Sequence, residues 1–193
     1  MRLDEDTLIE QLKLYAHTDR FPGDSSLRRQ WKLAPPVTEA EMLVAEAKLG
    51  FSLPPLLRRL YLEVSNGDFG PGLRPLDGDD SLVFWYVEEH SMTQEELDAA
   101  WGVEQDGEWD DTPVVLPEKL LNIYDWGCNI YSYLDCSTPA CPVLRNDNNI
   151  SFRTFAREAQ SLHEWLEAGL DGKQLFWLVD WDQAEKVTFE PHI

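Results

Sequence analysis

Two consecutive helices joined by a tight corner constrain the fold of this chain most strongly. Thr38 followed by Glu41 forms a capping-box pattern, and Val37 ahead of it fits a hydrophobic staple. The helix that they begin ends at Gly50, where a left-handed residue is favoured. A second helix starts at Pro54-Pro55, because proline is well tolerated in the first helical turn. Both helices carry an apolar stripe, so we expect a sheet to cover them.

Beyond a turn at Asn66-Gly67, the sequence changes to short segments rich in aliphatic and aromatic residues. These segments predict strands over residues 82–87, 114–116, 120–125, 129–134 and 141–146. Turn residues between the later segments favour antiparallel neighbours. Helical spacing returns over residues 152–169, and residues 175–179 are predicted as a further strand or an exchanged edge element.

These elements predict an α+β fold, in which an antiparallel β-meander sheet is packed by an N-terminal helix pair and a C-terminal helix. We expect residues 1–193 to form a single domain with a core of about residues 31–169. A helix over residues 5–17 and the tail after residue 169 are extensions of that core. A homodimer through an edge strand or the tail is possible, although no residue requires it.

Negative charge is concentrated between Pro75 and Glu118, a stretch that we call the acidic segment. It holds 14 of the 36 acidic residues and no Lys or Arg, in a chain of net charge −20. Such a chain repels phosphate backbones and anionic lipids, so we predict no direct binding to nucleic acid and no membrane binding. The expected partner is a basic protein or a cation.

Tryptophans are interspersed among the carboxylates of the acidic segment. Aromatic rings contribute buried area to an interface, and carboxylates attract a basic partner. The predicted partner-binding residues are Asp79, Asp80, Glu88, Trp101, Glu108, Trp109, Asp110 and Asp111. The alternative is a solvated acidic loop with some tryptophans in the core, and we expect Trp85 and Tyr86 to be core on at least one side.

No residue pattern predicts catalysis, a metal or a cofactor. Glu88 and Glu89 on a predicted strand point to opposite faces, and the loop acids Asp110 and Asp111 are expected to be solvated. The run from Asp77 to Asp80 lacks the residue order of a calcium loop, and the four histidines form no metal-binding motif. We therefore predict a protein that is not an enzyme, and we keep a carboxylate-dependent hydrolase as a distant alternative.

The cysteines and the N-terminus predict a cytoplasmic protein. Cys128, Cys136 and Cys141 have no common zinc-ligand spacing and are expected to be free buried thiols in a reducing compartment. Residues 1–20 have acids where a signal peptide is basic, and they lack its apolar region. No apolar run approaches the roughly 20 residues that span a bilayer.

The stretch from Trp31 to Gly67, together with the later DWGCNIYSYLD and FRTFAREAQSLHEWLEAGL, resembles the SUKH superfamily. That superfamily includes bacterial immunity proteins of polymorphic toxin systems and yeast cell-wall-assembly regulators. The resemblance covers roughly residues 31–169 and rests on Thr38 and Glu41, Leu49-Gly50, Leu53-Pro54, Asn66-Gly67, Gly127 and Trp165-Leu166. The chain departs from the superfamily pattern in the acidic insert before Pro113 and in the tail after Gly169.

The resemblance implies a non-catalytic binding module with no catalytic residues to assign. The leading hypothesis is an immunity protein that neutralises a cognate bacterial toxin by occluding its basic active site. The alternative is a regulatory scaffold that binds an endogenous partner.

Overall fold

The computed structural model describes residues 2–16, 21–22, 33–101, 104–105, 108–109 and 115–189. Its α-helices are α1 (Glu5–Ala16), α2 (Glu39–Leu49), α3 (Pro55–Glu63), α4 (Leu82–Ser91), α5 (Gln94–Trp101) and α6 (Leu162–Leu170). Its strands are β1 (Glu104–Gln105), β2 (Glu108–Trp109), β3 (Leu120–Gly127), β4 (Ile130–Asp135), β5 (Val143–Asp147), β6 (Ser151–Ala159) and β7 (Lys186–Thr188). None of the helices within these ranges is long and apolar enough to cross a bilayer. The fold is α+β, as predicted.

The predicted helix pair is confirmed as α2 and α3. Glu41 N donates to Thr38 Oγ1 at 3.3 Å and Thr38 N donates to the Glu41 carboxylate at 2.7 Å, so both halves of the capping box are present. Gly50 ends α2 with φ of 77°. The corner between the helices is fixed by buried Glu46, whose carboxylate accepts a hydrogen bond from Leu53 N at 2.9 Å. The first helix of the chain, predicted over residues 5–17, is α1.

Strands β3 to β7 form one antiparallel sheet whose spatial order follows the chain. Its first three strands correspond to the predicted segments 120–125, 129–134 and 141–146, so the meander is confirmed. In this sheet Leu121 lies opposite Leu134, and Tyr133 lies opposite Leu144. Strands β1 and β2 form a separate two-stranded ribbon. Of the predicted strand 114–116, Val114 lies outside the described residues, and the other two residues are not in a strand.

Residues 82–87, predicted as a buried strand, form the first part of α4 instead. Ser81 Oγ accepts a hydrogen bond from Phe84 N at 3.0 Å and thereby caps the helix. An unbroken apolar run has no periodicity of its own, so it fits a helix as well as a strand. The cap and the packing of α4 against β3 and α2 select the helix.

The prediction of one helix over residues 152–169 is wrong in its first half. Residues Ser151–Ala159 form β6, which pairs with β5 on one side and β7 on the other. Only Leu162–Leu170 are helical, and Ser161 Oγ caps this helix by accepting a hydrogen bond from Glu164 N at 3.2 Å. Backbone pairing on both edges of β6 outweighs the helical spacing of its side chains.

The predicted strand over residues 175–179 is also wrong. Leu175–Leu178 form a 3-10 helix, and the edge strand of the tail is β7. Leu175 is fully buried, and its carbonyl accepts a hydrogen bond from the guanidinium of Arg145 on β5 at 3.2 Å. The Phe176 carbonyl accepts a second one at 2.5 Å. The tail is therefore held against the sheet by a buried cation rather than by strand pairing at this point.

Both faces of the sheet are covered. On one face, Leu121, Ile123 and Leu134 pack in the main core with α1, α2, α3 and α6. The largest fully buried side chain of this core is Trp165 on α6. On the other face, a smaller cluster of buried side chains consists of Leu120, Tyr133, Leu144 and Phe155. Leu97 of α5 and Phe189 of the tail pack against this second cluster. The acidic segment therefore contributes to the fold as well as to the surface.

Candidate partner-binding surface

Helix α4 is the best-described part of the acidic segment and has two distinct faces. Leu82, Val83 and Glu89 are buried against the rest of the domain. On the outward side, Phe84 is 40% exposed and Val87 is 42% exposed, and the predicted binding residue Glu88 lies beside them in the exposed class. Residues 84, 87, 88 and 91 follow helical spacing, so they share one face of the helix. This face presents apolar side chains next to a carboxylate.

The loop before α4 is fixed by buried Arg74. The Arg74 guanidinium forms an ion pair with Asp80 and donates a hydrogen bond to the Asp80 carbonyl at 3.2 Å. Trp85 Nε1 also donates to the Asp80 carboxylate at 2.6 Å, and the guanidinium lies 5.2 Å from the centre of the Trp85 ring. Asp80 was predicted as a partner-binding residue, but these contacts give it a structural role in shaping the loop.

A buried polar network holds the inner face of α4 against the sheet. Tyr133 on β4 donates a hydrogen bond to the Glu89 carboxylate at 3.2 Å. Arg74 Nε donates to the side-chain oxygen of Asn122 on β3 at 3.1 Å. Burial raises the pKa of Glu89 to about 7, against the opposing effects of the hydrogen bonds from Tyr133 and Asn122 and the charge of Arg74. Glu89 therefore positions α4, and near pH 7 about half of its carboxyl groups remain protonated.

No pattern in the sequence indicates that Glu88 and Glu89 differ in this way. They were expected to lie on opposite faces of a strand, whereas on α4 they lie about 100° apart around the helix axis. Glu88 remains exposed and Glu89 is enclosed. The two carboxylates do not converge, so they do not form a catalytic pair. The signal that could have identified Glu89 is its position seven residues after Leu82 on an amphipathic helix.

Neighbouring elements extend the exposed surface around α4. Asp77 pairs with Lys48 near the end of α2 at 2.5 Å, which ties the loop before α4 to that helix. Helix α2, which packs against α4, exposes Leu43 and Val44 by more than half. Asp79 is exposed, and it has no ion-pair partner within the described ranges. These residues are further exposed apolar and acidic groups on elements next to α4.

Only part of the predicted binding set can be placed. Trp101 ends α5, and Glu108 and Trp109 form β2, but their side chains are not described. Asp110 and Asp111 lie outside the described residues. Asp79, Asp80 and Glu88 belong to one continuous structural unit, the loop before α4 and the last turns of that helix. Their role in binding a partner stays a prediction.

The described residues contain no group of three or more His, Cys, Asp or Glu side chains that could hold a metal ion. In the stretch that resembled a calcium loop, Asp77 is paired with Lys48 and Asp80 with Arg74. His90 has both ring nitrogens within 3.0 Å of backbone carbonyls, those of Tyr86 and Pro117. These carboxylates and this imidazole are engaged in holding the fold together.

The fold and this surface define an α+β domain that presents an acidic helix with exposed apolar side chains. The model of the SMI1 / KNR4 family (SUKH-1) matches residues 36–168, which is more than half of the chain, and the chain therefore belongs to this family. The resemblance to the SUKH superfamily is thereby confirmed. No curated protein matches the sequence. Membership of the family is compatible with immunity roles and with regulatory roles, both of which depend on binding other proteins.

Proposed function

We propose that this protein is an immunity protein that neutralises a cognate bacterial toxin by occluding its basic active site. The observation that carries the proposal is the outward face of α4, where Phe84, Val87 and Glu88 are exposed together inside a segment without a single Lys or Arg. Family membership supports the proposal, because SUKH proteins include immunity proteins. The partner-binding surface extends from this face to Asp79 and to the predicted residues of 101–111.

The charge distribution suits a partner that itself binds anions. An enzyme that cleaves nucleic acid needs a basic cleft, and an acidic surface offers that cleft carboxylates in place of phosphates. Long-range attraction raises the association rate, and it weakens as salt concentration rises. The exposed apolar side chains of α4 and α2 then contribute burial once the two proteins are in contact.

The carboxylates of the acidic segment are not equivalent in this proposal. Asp77 and Asp80 already have basic partners within the domain, so they offer little charge to a second protein. Asp79, Glu88 and Glu95 are exposed, and none has an ion-pair partner within the part of the chain that the structure describes. We therefore assign the first contacts with a toxin to these three acids and to Asp110 and Asp111.

The experiment that tests this function uses the open reading frame directly upstream in the source genome. Its C-terminal domain is expressed in a tester bacterium alone, with this protein, and with a variant that carries Phe84→Ala and Glu88→Lys. We expect killing by the domain alone, survival with the wild-type protein and reduced survival with the variant. A domain that kills regardless of this protein contradicts the immunity proposal. A harmless domain favours the regulatory scaffold, and a pull-down from the source cells then identifies its partner.

A further inference from the structure

The hairpin that joins β4 and β5 brings two cysteines opposite each other at its closed end. Leu134 lies opposite Val143 in the register of the two strands. The register continues one residue further, because Asp135 N donates a hydrogen bond to the Pro142 carbonyl at 3.1 Å. The next residues on the two sides are Cys136 and Cys141, which flank the turn of residues 137–140.

The backbone hydrogen bonds define what kind of pair this is. Cys136 N donates to the Lys119 carbonyl at 2.9 Å, away from Cys141. Cys141 N donates to Thr138 O at 3.1 Å, and its carbonyl accepts a hydrogen bond from Leu162 N at 3.1 Å. Cys141 has a positive φ of 48°, so the two cysteines flank the turn of residues 137–140, two residues beyond the last ladder pair, Leu134 and Val143. Non-hydrogen-bonded antiparallel neighbours have Cα atoms about 4.5 Å apart and a disulfide requires about 4.4–6.8 Å, so the closed end of a hairpin is a position where a disulfide can form.

The two thiols also influence each other. The Cys141 thiol raises the pKa of Cys136 and burial raises it further, whereas the Cys136 thiol lowers the pKa of Cys141. Both side chains are half-buried, whereas Cys128 is exposed, so the expectation of a buried thiol is wrong for Cys128. The more ionised thiol is the more reactive one. Cys141 is thus the expected nucleophile and Cys136 the resolving thiol.

We propose that Cys136 and Cys141 are a reversible thiol–disulfide site that is oxidised by small disulfides of the glutathione class. The Cys141 thiolate attacks one sulfur of the glutathione disulfide, whose S–S bond breaks and releases one glutathione thiolate, which takes up a proton. The Cys136 thiol then loses its proton and attacks the Cys141 sulfur of the mixed disulfide, which releases the second glutathione. Two protein thiols are oxidised and one glutathione disulfide is reduced to two thiols.

The bond would cross-link a part of the sheet that supports α4. Cys136 is bonded through its backbone to Lys119, and the neighbouring Glu118 carbonyl accepts a hydrogen bond from the Tyr86 hydroxyl of α4 at 2.5 Å. The disulfide would therefore constrain the end of the β4–β5 hairpin, which is connected to α4 through residues 118 and 119. This inference does not depend on the proposed function, since it concerns the chemistry of the isolated chain.

The test uses the full-length Cys128→Ser variant, in which Cys136 and Cys141 are the only thiols. The variant is incubated with excess oxidised glutathione, and its intact mass and its uptake of a thiol-alkylating reagent are measured. We expect a monomer that has lost two hydrogen atoms, carries no glutathione and takes up no reagent, and dithiothreitol restores both thiols. The same incubation in guanidinium chloride shows that the oxidant is active. We expect the ratio of disulfide to dithiol to be at least about tenfold higher in the folded chain, because the register already holds the thiols together.

Adding Cys141→Ser or Cys136→Ser to that variant provides the matched controls. Each double variant should keep its mass or gain one glutathione, and neither should lose two hydrogen atoms. The proposal is overturned if the folded Cys128→Ser chain ends with glutathione on its cysteines, with a disulfide between two chains, or with both thiols intact while the denatured chain is oxidised. The outcome of this test is separate from toxin binding, which it does not measure.

Discussion

Arg145 on β5 and Glu158 on β6 form an ion pair in the interior, where their side chains are only 3% and 0% exposed. Ser132 Oγ donates a hydrogen bond to the same carboxylate at 2.8 Å, and the guanidinium lies 4.7 Å from the centre of the Trp126 ring. Burial lowers the pKa of Arg145 and raises the pKa of Glu158, and the attraction between the two charges opposes both shifts. The pair links neighbouring strands to the 3-10 helix of the tail through the carbonyl of Leu175.

Removing one charge of this pair should destabilise the domain strongly. In Glu158→Gln, the Arg145 guanidinium stays buried without its counter-ion, so we expect a loss of about 3–5 kcal/mol in the free energy of unfolding. Urea unfolding at pH 7 measures it. The control is Glu185→Gln, which breaks the more exposed pair between Arg157 and Glu185 and should cost less than about 1 kcal/mol. Equal losses in the two variants would show that the buried pair has no special role.

The buried carboxyl of Glu89 should make stability fall as pH rises from 5 to 8. Its pKa is raised from 4.5 to about 7 in the folded protein, so between these values the folded state binds more protons than the unfolded state. Stability from this group is full below about pH 4.5 and is lost as pH rises through about 7, a change on the order of 3 kcal/mol. In Glu89→Gln the side chain is neutral at every pH. We expect the difference in free energy of unfolding between this variant and the wild type to grow toward pH 8.

Glu88→Gln provides the matched control for Glu89. It removes a carboxyl from the next residue of the same helix, but Glu88 is exposed. The pH dependence of this variant should equal that of the wild type between pH 5 and 8. A pH-independent difference between Glu89→Gln and the wild type would mean that the carboxyl of Glu89 titrates normally in the fold.

Gly67 should tolerate alanine less well than Gly50, although both have positive φ. A Cβ atom on Gly67 would lie 2.7 Å from the Cα and N atoms of Pro75, whereas a Cβ atom on Gly50 would meet nothing within 4 Å. The left-handed backbone costs about 1–2 kcal/mol in each variant. The backbone clash adds to that cost, so we expect Gly67→Ala to lose at least about 2 kcal/mol more than Gly50→Ala in urea unfolding. Similar losses would indicate that the loop at Pro75 shifts easily.

Binding to the toxin domain should depend on the outward face of α4. Phe84→Ala removes a 40% exposed aromatic side chain, and we expect it to weaken binding by about 1–2 kcal/mol through faster dissociation. Glu88→Lys should mainly slow association, and the deficit should shrink as salt concentration rises. Surface plasmon resonance at several salt concentrations separates the two effects. Asp182→Lys, the same type of charge change on an exposed residue of the tail, is the control and should leave the rates nearly unchanged.

A separate binding prediction concerns Trp109, Asp110 and Asp111 of the acidic segment. Reversing the charges of Asp110 and Asp111, or replacing Trp109 by alanine, should slow association or weaken binding while the fold remains intact. Circular dichroism and the urea midpoint check the fold of each variant. Wild-type affinity in all of them, together with wild-type affinity in the α4 variants, would place the interface elsewhere on the domain.

Residues whose structure is set by local interactions were predicted well from the sequence. The capping box of Thr38 and Glu41 and the left-handed Gly50 need only a few neighbouring residues, and both are confirmed. The strands β3 to β5 follow from short apolar segments separated by turns. These features are local, so the sequence contains nearly all the information that determines them.

The errors occurred where distant contacts decide the structure. Residues 82–87 are helical because the helix packs on β3 and α2, in addition to the local cap at Ser81. Residues 151–159 became a strand because β5 and β7 supply backbone partners on both sides. For the candidate site, the sequence predicts the negative charge of the acidic segment. It does not predict the ion pair of Asp80 with Arg74, because the folded loop brings these two side chains together. The buried role of Glu89 was likewise invisible without the helix.

Under the proposed function, the two faces of α4 separate the requirements for folding from those for recognition. Glu89 on the inner face is held by Tyr133, while Phe84, Val87 and Glu88 on the outer face have much of their surface in solvent. Substitutions on the outer face therefore change what the helix offers to a partner at little cost in folding free energy. A lineage that faces changing opponents can alter its specificity at these positions one residue at a time, and the scaffold beneath them stays the same.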